Sequence, residues 1–571
     1  MPGSSRGGGQ DRFSRSGLVL TEQNKKTNNI LVQGSILAAA SLIVRFIGML
    51  YRIPMTAILG EKAIGYYNIA FEFYDIALLL STYSLPLAVS KLVSARAVQG
   101  QHRNARKVFM IAIGFGLVVG NIAMFACYFG ADIYARAIDQ RGVILPLKVL
   151  APTILIFSIM GVIRGYFQGY GNMVPTAISQ IIEQIVNAGV SVGASYFLLR
   201  HYVGDPDRLS YGAAGGTLGT FSGAVASFIS LLIIYEIFHK TFGKLIEAEK
   251  KAEEEAGEPF TSERPLHVLH LIILTVIPVV VSQTVYQLSG TVDTLVFNRV
   301  LRAKGLSESI RATWWGIYSG KYKLLTTVPV AVASAMGTAI VPGLIAEFVR
   351  GHRDAMREKV AVAVKFNMII AFPCMVGMSV LSGPILRTLR FWTDTNTLAR
   401  NMLQIGSVSI VLFAFSTLTN GILQGINKLY VPVVHSAIAL VVHAVVLGFL
   451  LNHTTLNAYA LMICNVLFAF IVSALNWRSV AKYLDYKQEI KKTFLLPLTA
   501  AIFMGLSTRC LYDFLHLALS ASVSCVLSII FAVPVYFAAL IVLKAVTKEE
   551  ILRMPKGAML VKVLTKFRLL R

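Results

Sequence analysis

Apolar runs long enough to cross a lipid bilayer recur from one end of this 571-residue chain to the other. Spanning the hydrocarbon core takes about 20 mostly apolar residues in a helix. Runs of that kind fall at 30–57, 64–94, 107–130, 145–168, 174–200, 211–239, 266–299, 314–346, 358–384, 398–425, 430–452, 456–480, 493–516 and 519–545. The expected fold is therefore an all-α polytopic membrane protein with about fourteen transmembrane helices. Composition agrees: 55% of residues are hydrophobic and 14% charged, against roughly 25% charged in soluble domains. No room is left for a large soluble domain.

The formal net charge of +24 would suit nucleic acid if it lay on one face. It lies instead in alternate loops, as the positive-inside rule predicts for a membrane protein, and nucleic acid is excluded as a partner. Lys25 and Lys26 precede the first run, and Arg96, Arg103, Arg106 and Lys107 follow the second. Arg350, Arg353, Arg357 and Lys359 follow the eighth, and Lys482, Lys487, Lys491 and Lys492 the twelfth. A basic tail closes the chain with Lys548, Arg553, Lys556, Lys562, Lys566 and Arg568. With an even number of spans, all these fall on one side and both termini are expected to be cytoplasmic. Arg299, Arg302, Lys304 and Arg311 break the pattern on the opposite side. The first run is too long for a signal peptide and lacks a small-residue cleavage site, so it reads as a retained helix. The five cysteines show no paired spacing and read as small buried residues.

The expected organisation is a disordered cytoplasmic tail (1–29), a first six-helix lobe (30–239), a charged cytoplasmic linker (240–265), a second six-helix lobe (266–480), two further helices (493–545) and a basic cytoplasmic tail (546–571). An internal repeat supports the two lobes. Gly165-Tyr166-Phe167-Gln168-Gly169, with Pro175 after it, matches Gly421-Ile422-Leu423-Gln424-Gly425, with Pro432 after it. The loop holding Gly100, Arg103 and Arg106 matches the one holding Gly351, Arg353 and Arg357. Six helices separate the partners in each pair, so the units share one orientation, as in a parallel repeat about an axis normal to the membrane.

Charges inside the expected spans point to function. Arg45 and Arg52 lie in the first, Glu72 and Asp75 in the second, and Lys321 and Lys323 in the eighth. A charge at bilayer depth costs about 2.5–3.5 kcal/mol or more, so it faces a partner or a pathway. A rise of 1.5 Å per residue puts all six in the outer half of the membrane, roughly 8–18 Å deep. Arg45 and Arg52 are seven apart and share a helix face. Basic groups so placed suit an anionic cargo, since arginine grips two phosphate oxygens at once and lysine supplies a point charge. The plainer alternative makes Arg45–Asp75 and Arg52–Glu72 structural ion pairs that lock two helices together. The two readings are compatible, with each acid releasing its arginine when cargo arrives. Arg164 and Gln168 could meet a headgroup near the cytoplasmic end of the fourth span, or anchor it. Glu183 and Lys365 could pair across the lobes or snorkel. Asp293 is a counter-ion or coupling candidate, and with Thr291 and Asn298 it could hold a hard cation. His435 and His443 could relay protons or be satisfied packing. Arg509 and Asp513 form a local helix pair. No motif for a catalytic residue, a metal cluster or a nucleotide loop appears, so the expected role is transport without cofactor. The membrane potential or a sodium or proton gradient would drive it, at about 2.3 kcal/mol per charge per 100 mV.

Particular stretches resemble a known family. They are Val44-Arg45, Gly48, Tyr51-Arg52, Pro54, Gly60-Glu61, Gly65-Tyr66-Tyr67, the run Leu85-Pro86-Leu87-Ala88-Val89-Ser90-Lys91-Leu92-Val93 and the two Gly-x-x-Gln-Gly turns. With two six-helix lobes and two extra helices, the chain is similar to the multidrug/oligosaccharidyl-lipid/polysaccharide (MOP) exporter superfamily. Within it, the chain resembles the MurJ-like lipid II flippases and most closely their SpoVB/YtgP branch. The resemblance implies a V-shaped pair of lobes, alternating access and a polyprenyl-diphosphate-linked sugar as cargo, in a bacterial plasma membrane. It also implies cationic positions at Arg45, Arg52 and Lys323. Two departures stand out: the spacing of the two arginines is one residue longer than in the MurJ motif, and Glu72 and Asp75 stand in a helix where MurJ proteins carry an arginine. Expected partners are a lipid-linked oligosaccharide, membrane lipids and cell-wall synthases. A cation-coupled drug exporter, a flippase for another lipid-linked polysaccharide and a transport-inactive cell-wall scaffold are the alternatives.

Overall fold

The computed structural model describes residues 10–81, 84–257, 261–333, 344, 347–348, 351–389, 397–428 and 430–546. Every regular element among them is a helix. The first lobe comprises α1 (Gln10–Ser81), α2 (Leu85–Val98), α3 (His102–Ile138), α4 (Ile144–Gly169), α5 (Val174–His201) and α6 (Arg208–Ala256). The second comprises α7 (Pro265–Ala303), α8 (Glu308–Ile317, continuing through a π-helical turn at Tyr318–Lys323), α9 (Arg353–Val380), α10 (Ser382–Thr388), α11 (Thr397–Gly406), α12 (Val408–Gly425), α13 (Tyr430–His453) and α14 (Ala458–Leu484). The last pair, α15 (Leu496–Leu515) and α16 (Ala521–Val542), packs on α9 and α10.

Helix α1 is two arms. It folds back at Gly60, with φ 69° and ψ 179°, a combination that in practice only glycine adopts. The reversal shows on α6, where Met55 and Tyr67 both lie beside Gly216; a straight helix would hold them about 18 Å apart. Eleven helices among the described residues are long and apolar enough to cross a membrane, against the fourteen expected. The first two expected spans share α1. The seventh falls on α7, whose apolar stretch Pro265–Ile277 is short. The eighth falls on α8 and its π turn, and its residues 334–343 lie outside the described ones. The repeat positions match in structure: α4 ends at Gly169 and α12 at Gly425, each followed by a helix with proline in its first turn.

Helix also fills parts of two segments outside the expected spans. Helix α1 starts at Gln10, inside the tail read as disordered, because residues 10–29 mix leucine and valine with good helix formers such as lysine, arginine and glutamate. Likewise α6 continues through the expected linker to Ala256. Residues 1–9 and 547–571, with most of the basic C-tail, lie outside the described residues.

Connections alternate between two ends of the molecule. One holds Gly60, Gly142 and Gly305; the other holds Gly100, Gly171, Gly257 and Gly351. At the Gly60 end a single apolar core joins the lobes: Tyr66, Tyr67 and Leu147 of the first are continuous with Phe297, Trp315, Tyr318 and Leu461 of the second. At the Gly100 end the cores are separate. One is built from α2, α3, α4 and α6 together with Val268, Ile272 and Val276 of α7. The other is built from described residues between 333 and 546. Among the described residues, α7 packs with the first lobe at the Gly100 end, while the rest of the second lobe is fused to the first at the Gly60 end and parted from it at the other.

Candidate functional site

The seam at the fused end is made by the second arm of α1 crossing α8. Gly65 and Gly316 bring the two backbones together: a side chain at Gly65 would strike the Ala312 carbonyl, and one at Gly316 the Glu61 carbonyl. Small residues permit this approach in membrane proteins. Polar groups close around it. Tyr66 Oη donates to Glu308 Oε1 at 3.0 Å, Asn68 Nδ2 to Ser319 Oγ at 3.0 Å and Lys321 Nζ to Glu61 Oε1 at 2.6 Å. A second staple lies beside it. Arg311, buried at 1% side-chain exposure, donates to Asp139 Oδ2 at 2.6 Å. It also donates to the Ile138 and Asn298 carbonyls. Gln140 Nε2 donates to Asn298 Oδ1 at 2.9 Å.

Lys321 and Lys323 lie in the π turn, two residues apart, and so point to opposite sides of the helix. Lys321 enters the seam and Lys323 reaches the edge of the parted region. Lys323 Nζ lies 3.4 Å from Glu72 Oε1, with side-chain exposures of 34% and 22%. The ammonium also sits over the Tyr318 ring, 5.6 Å from its centroid. Thr291 Oγ1 donates to the Glu72 carbonyl at 3.3 Å, tying α7 to the same point. Asp75 lies within electrostatic range of Glu72, Arg52 and Lys323. Arg52 lies among Tyr51, Tyr67 and Asp75. Farther along the first arm, Arg45 is exposed and makes no ion pair among the described residues. The arrangement is a row of cations (Arg52, Lys323, Arg45) partly neutralised by Glu72 and Asp75. An anion with several oxygens can take the carboxylates' places so that the cations stay paired.

The structure sorts the other expected residues. The seam, not the parted region, takes Lys321. Arg164 is a staple within the first lobe: it donates to Ser179 Oγ at 3.0 Å, Ser227 Oγ at 3.0 Å and Glu183 Oε2 at 2.9 Å, joining α4, α5 and α6. Glu183 therefore pairs inside its own lobe and not with Lys365, because Arg164 stands one helix away. Gln168 Nε2 donates to Thr176 Oγ1 at 3.1 Å across the turn it precedes. The acid partners also shift: Glu72 takes Lys323, not Arg52, and Asp75 takes the place beside Arg52. Depth along the helices could not show this, since it ignores the azimuth that the Gly60 reversal sets. Asp293, Thr291 and Asn298 do not converge on a cation. They turn to His443, the Glu72 carbonyl and Gln140 respectively, and no cluster of three or more metal-ligating side chains occurs among the described residues. His435 Nδ1 lies 2.8 Å from Asn476 Oδ1, as packing. Arg509 and Asp513 form the expected local pair, at 2.8 Å. Asp139, Gln140 and Glu308 carried no expectation, and Glu61 entered only through the Gly60-Glu61 resemblance. They lie in expected loops between spans, where charge is ordinary, and only the fold brings them to the seam.

Comparison with known proteins places this geometry. Residues 30–348 match the family described as polysaccharide biosynthesis protein. Residues 278–450 match the MatE family. The lipid II flippase MurJ of Bacillus subtilis (strain 168) is 27% identical over 498 residues, covering 84% of this chain and 88% of that protein. Stage V sporulation protein B of the same organism is 23% identical, covering 91% and 96%. Among solved structures, a lipid II flippase MurJ in an inward closed conformation superposes with a TM-score of 0.62 at 17% identity, covering 88% of this chain and 97% of that one. An inward-facing multidrug resistance MATE family transporter of the MOP superfamily gives 0.61 at 16%, covering 80% and 98%.

Proposed function

Because this chain belongs to the polysaccharide biosynthesis protein family, within the MurJ-like part of the MOP exporter superfamily, we propose that it flips a polyprenyl-diphosphate-linked cell-wall saccharide, lipid II, across the bacterial plasma membrane. A multi-pass helical flippase fold is common ground with its relatives. The observation that carries the cargo assignment is the Lys323–Glu72 contact at 3.4 Å. A cation of one lobe there meets a carboxylate of the other, at the boundary between the fused and parted regions, with Arg52 beside it. A diphosphate reaching that point from the parted side can replace Glu72 on Lys323 and Asp75 near Arg52.

The Gly100 end carries Arg96, Arg103, Lys107, Arg353 and Arg357, so in this reading it is cytoplasmic, with both termini. Arg311 no longer counts against that orientation, being buried against Asp139. The structure then corresponds to the state that loads cargo from inside, with the outer end shut. Opening the seam while the cytoplasmic ends close completes the cycle.

The carboxylates Glu72 and Asp75, with the MatE match, favour a second reading in which a cationic drug is expelled. Vesicles reconstituted with the protein separate the two. Fluorescent lipid II should become accessible at the opposite leaflet, and the Lys323→Gln variant should not support it. Export of a cationic dye with no movement of lipid II would reject the proposal.

A further inference from the structure

Asp293 on α7 and His443 on α13 meet inside the second lobe, with side chains 4% and 2% exposed. His443 Nδ1 lies 2.8 Å from the Cys464 carbonyl oxygen. A carbonyl only accepts, so Nδ1 carries a hydrogen. The other ring nitrogen, Nε2, faces Asp293 Oδ1 in hydrogen-bond contact. That contact needs a proton of its own. An imidazole with its hydrogen on Nδ1 would set the Nε2 lone pair against an ionised carboxylate. The closed pair thus holds one proton more than a neutral histidine beside an aspartate ion. With it the dyad is neutral overall; without it, a charge of −1 is left buried.

The surroundings tie this proton to the charged row. Tyr318, from the π turn, is fully buried, and its hydroxyl has no hydrogen-bond partner among the described residues. It lies within electrostatic range of both Asp293 and Glu72. Lys323, over the Tyr318 ring, lies within range of His443. Cys464 of α14 lies within electrostatic range of Asp293, and the Phe468 ring stands edge-on to His443 at 6.0 Å.

We infer that Asp293 and His443 form a proton-binding site whose occupancy is linked to the charge at Lys323 and Glu72, so that H+ is the coupling ion of the flippase reading on which this inference rests. A hydronium ion from solvent delivers the proton when the lobes move and leaves as water. The proton settles between Oδ1 and Nε2 and takes the dyad from −1 to 0. Lys323 opposes that uptake while its charge faces the dyad. An anionic headgroup that engages Lys323 lifts the opposition, and by linkage a loaded proton strengthens binding of the headgroup.

Thermal unfolding of the purified full-length protein in detergent tests this without cargo, so failure of the flippase reading would leave the result standing. The folded state holds one proton more than the unfolded chain above the free histidine range, about pH 6.5. Stability is therefore lost as pH rises, by up to about tenfold in the unfolding equilibrium per pH unit. Asp293→Asn donates to Nε2 through its amide, as the protonated acid does, and should remove that slope while keeping the contact. His443→Gln, whose amide donates to an ionised Asp293, serves the same end if the first variant does not accumulate. Lys323→Gln should move the wild-type fall to higher pH. Sodium chloride and choline chloride should give the same curves. A wild-type profile parallel to Asp293→Asn, an unmoved profile in Lys323→Gln, or a slope that sodium removes would overturn the inference.

Discussion

Lys321 Nζ reaches across the lobe interface to Glu61 Oε1 at 2.6 Å, and the two side chains are only 4% and 16% exposed. The pair fastens the end where the lobes are fused. Removing one partner of a buried pair leaves an uncompensated charge and costs about 3–5 kcal/mol. Lys321→Met and Glu61→Gln should each lower the melting temperature in detergent, and the double variant should recover most of the loss. Strictly additive losses would show that the two charges do not act together.

The backbone approach at Gly65 and Gly316 makes a steric prediction. Gly65→Leu should insert normally but hold the seam open, so that Asn68→Cys becomes labelled by an impermeant thiol reagent from the Gly60 side. Gly114→Leu is the control, since nothing lies within 4 Å of a side chain there. Equal labelling in both variants would place the moving interface elsewhere.

Arg52 and Asp75 form the next coupled pair. A double-mutant cycle on Arg52→Gln and Asp75→Asn should give an interaction of about 0.5–3 kcal/mol in detergent stability. Transport should stay lost in the double variant, because the arginine serves cargo as well as Asp75. Recovery of transport with both charges gone would reduce them to a structural pair.

Arg164 should behave as a staple. Arg164→Gln should cost about 1.5–3 kcal/mol of stability while leaving lipid II movement per inserted molecule within a few-fold of wild type. Normal stability with abolished movement would return Arg164 to the cargo path.

Length and polarity made the helices legible: the apolar runs and the Gly-x-x-Gln-Gly turns could be placed from sequence because a bilayer imposes a minimum length on every span. The intramembrane charges were legible for the same reason, since lipid makes each of them costly. Their pairing was not. Glu72 meets Lys323 and Lys321 meets Glu61 because Gly60 reverses α1 and so sets which of its residues face α8. That reversal does not show in a hydropathy pattern. Arg311 misled for a related reason: counted as a loop charge, it is a buried link to Asp139. Asp293 and His443, 150 residues apart, gave no hint of contact until α7 and α13 were packed together.

The most direct test of the cargo assignment is rescue of a bacterium depleted of its own lipid II flippase. The wild-type chain should restore growth as the only copy, and Lys323→Gln and Arg52→Gln, present in the membrane at equal levels, should fail. No rescue by the wild-type chain, or full growth on both variants, would contradict the account.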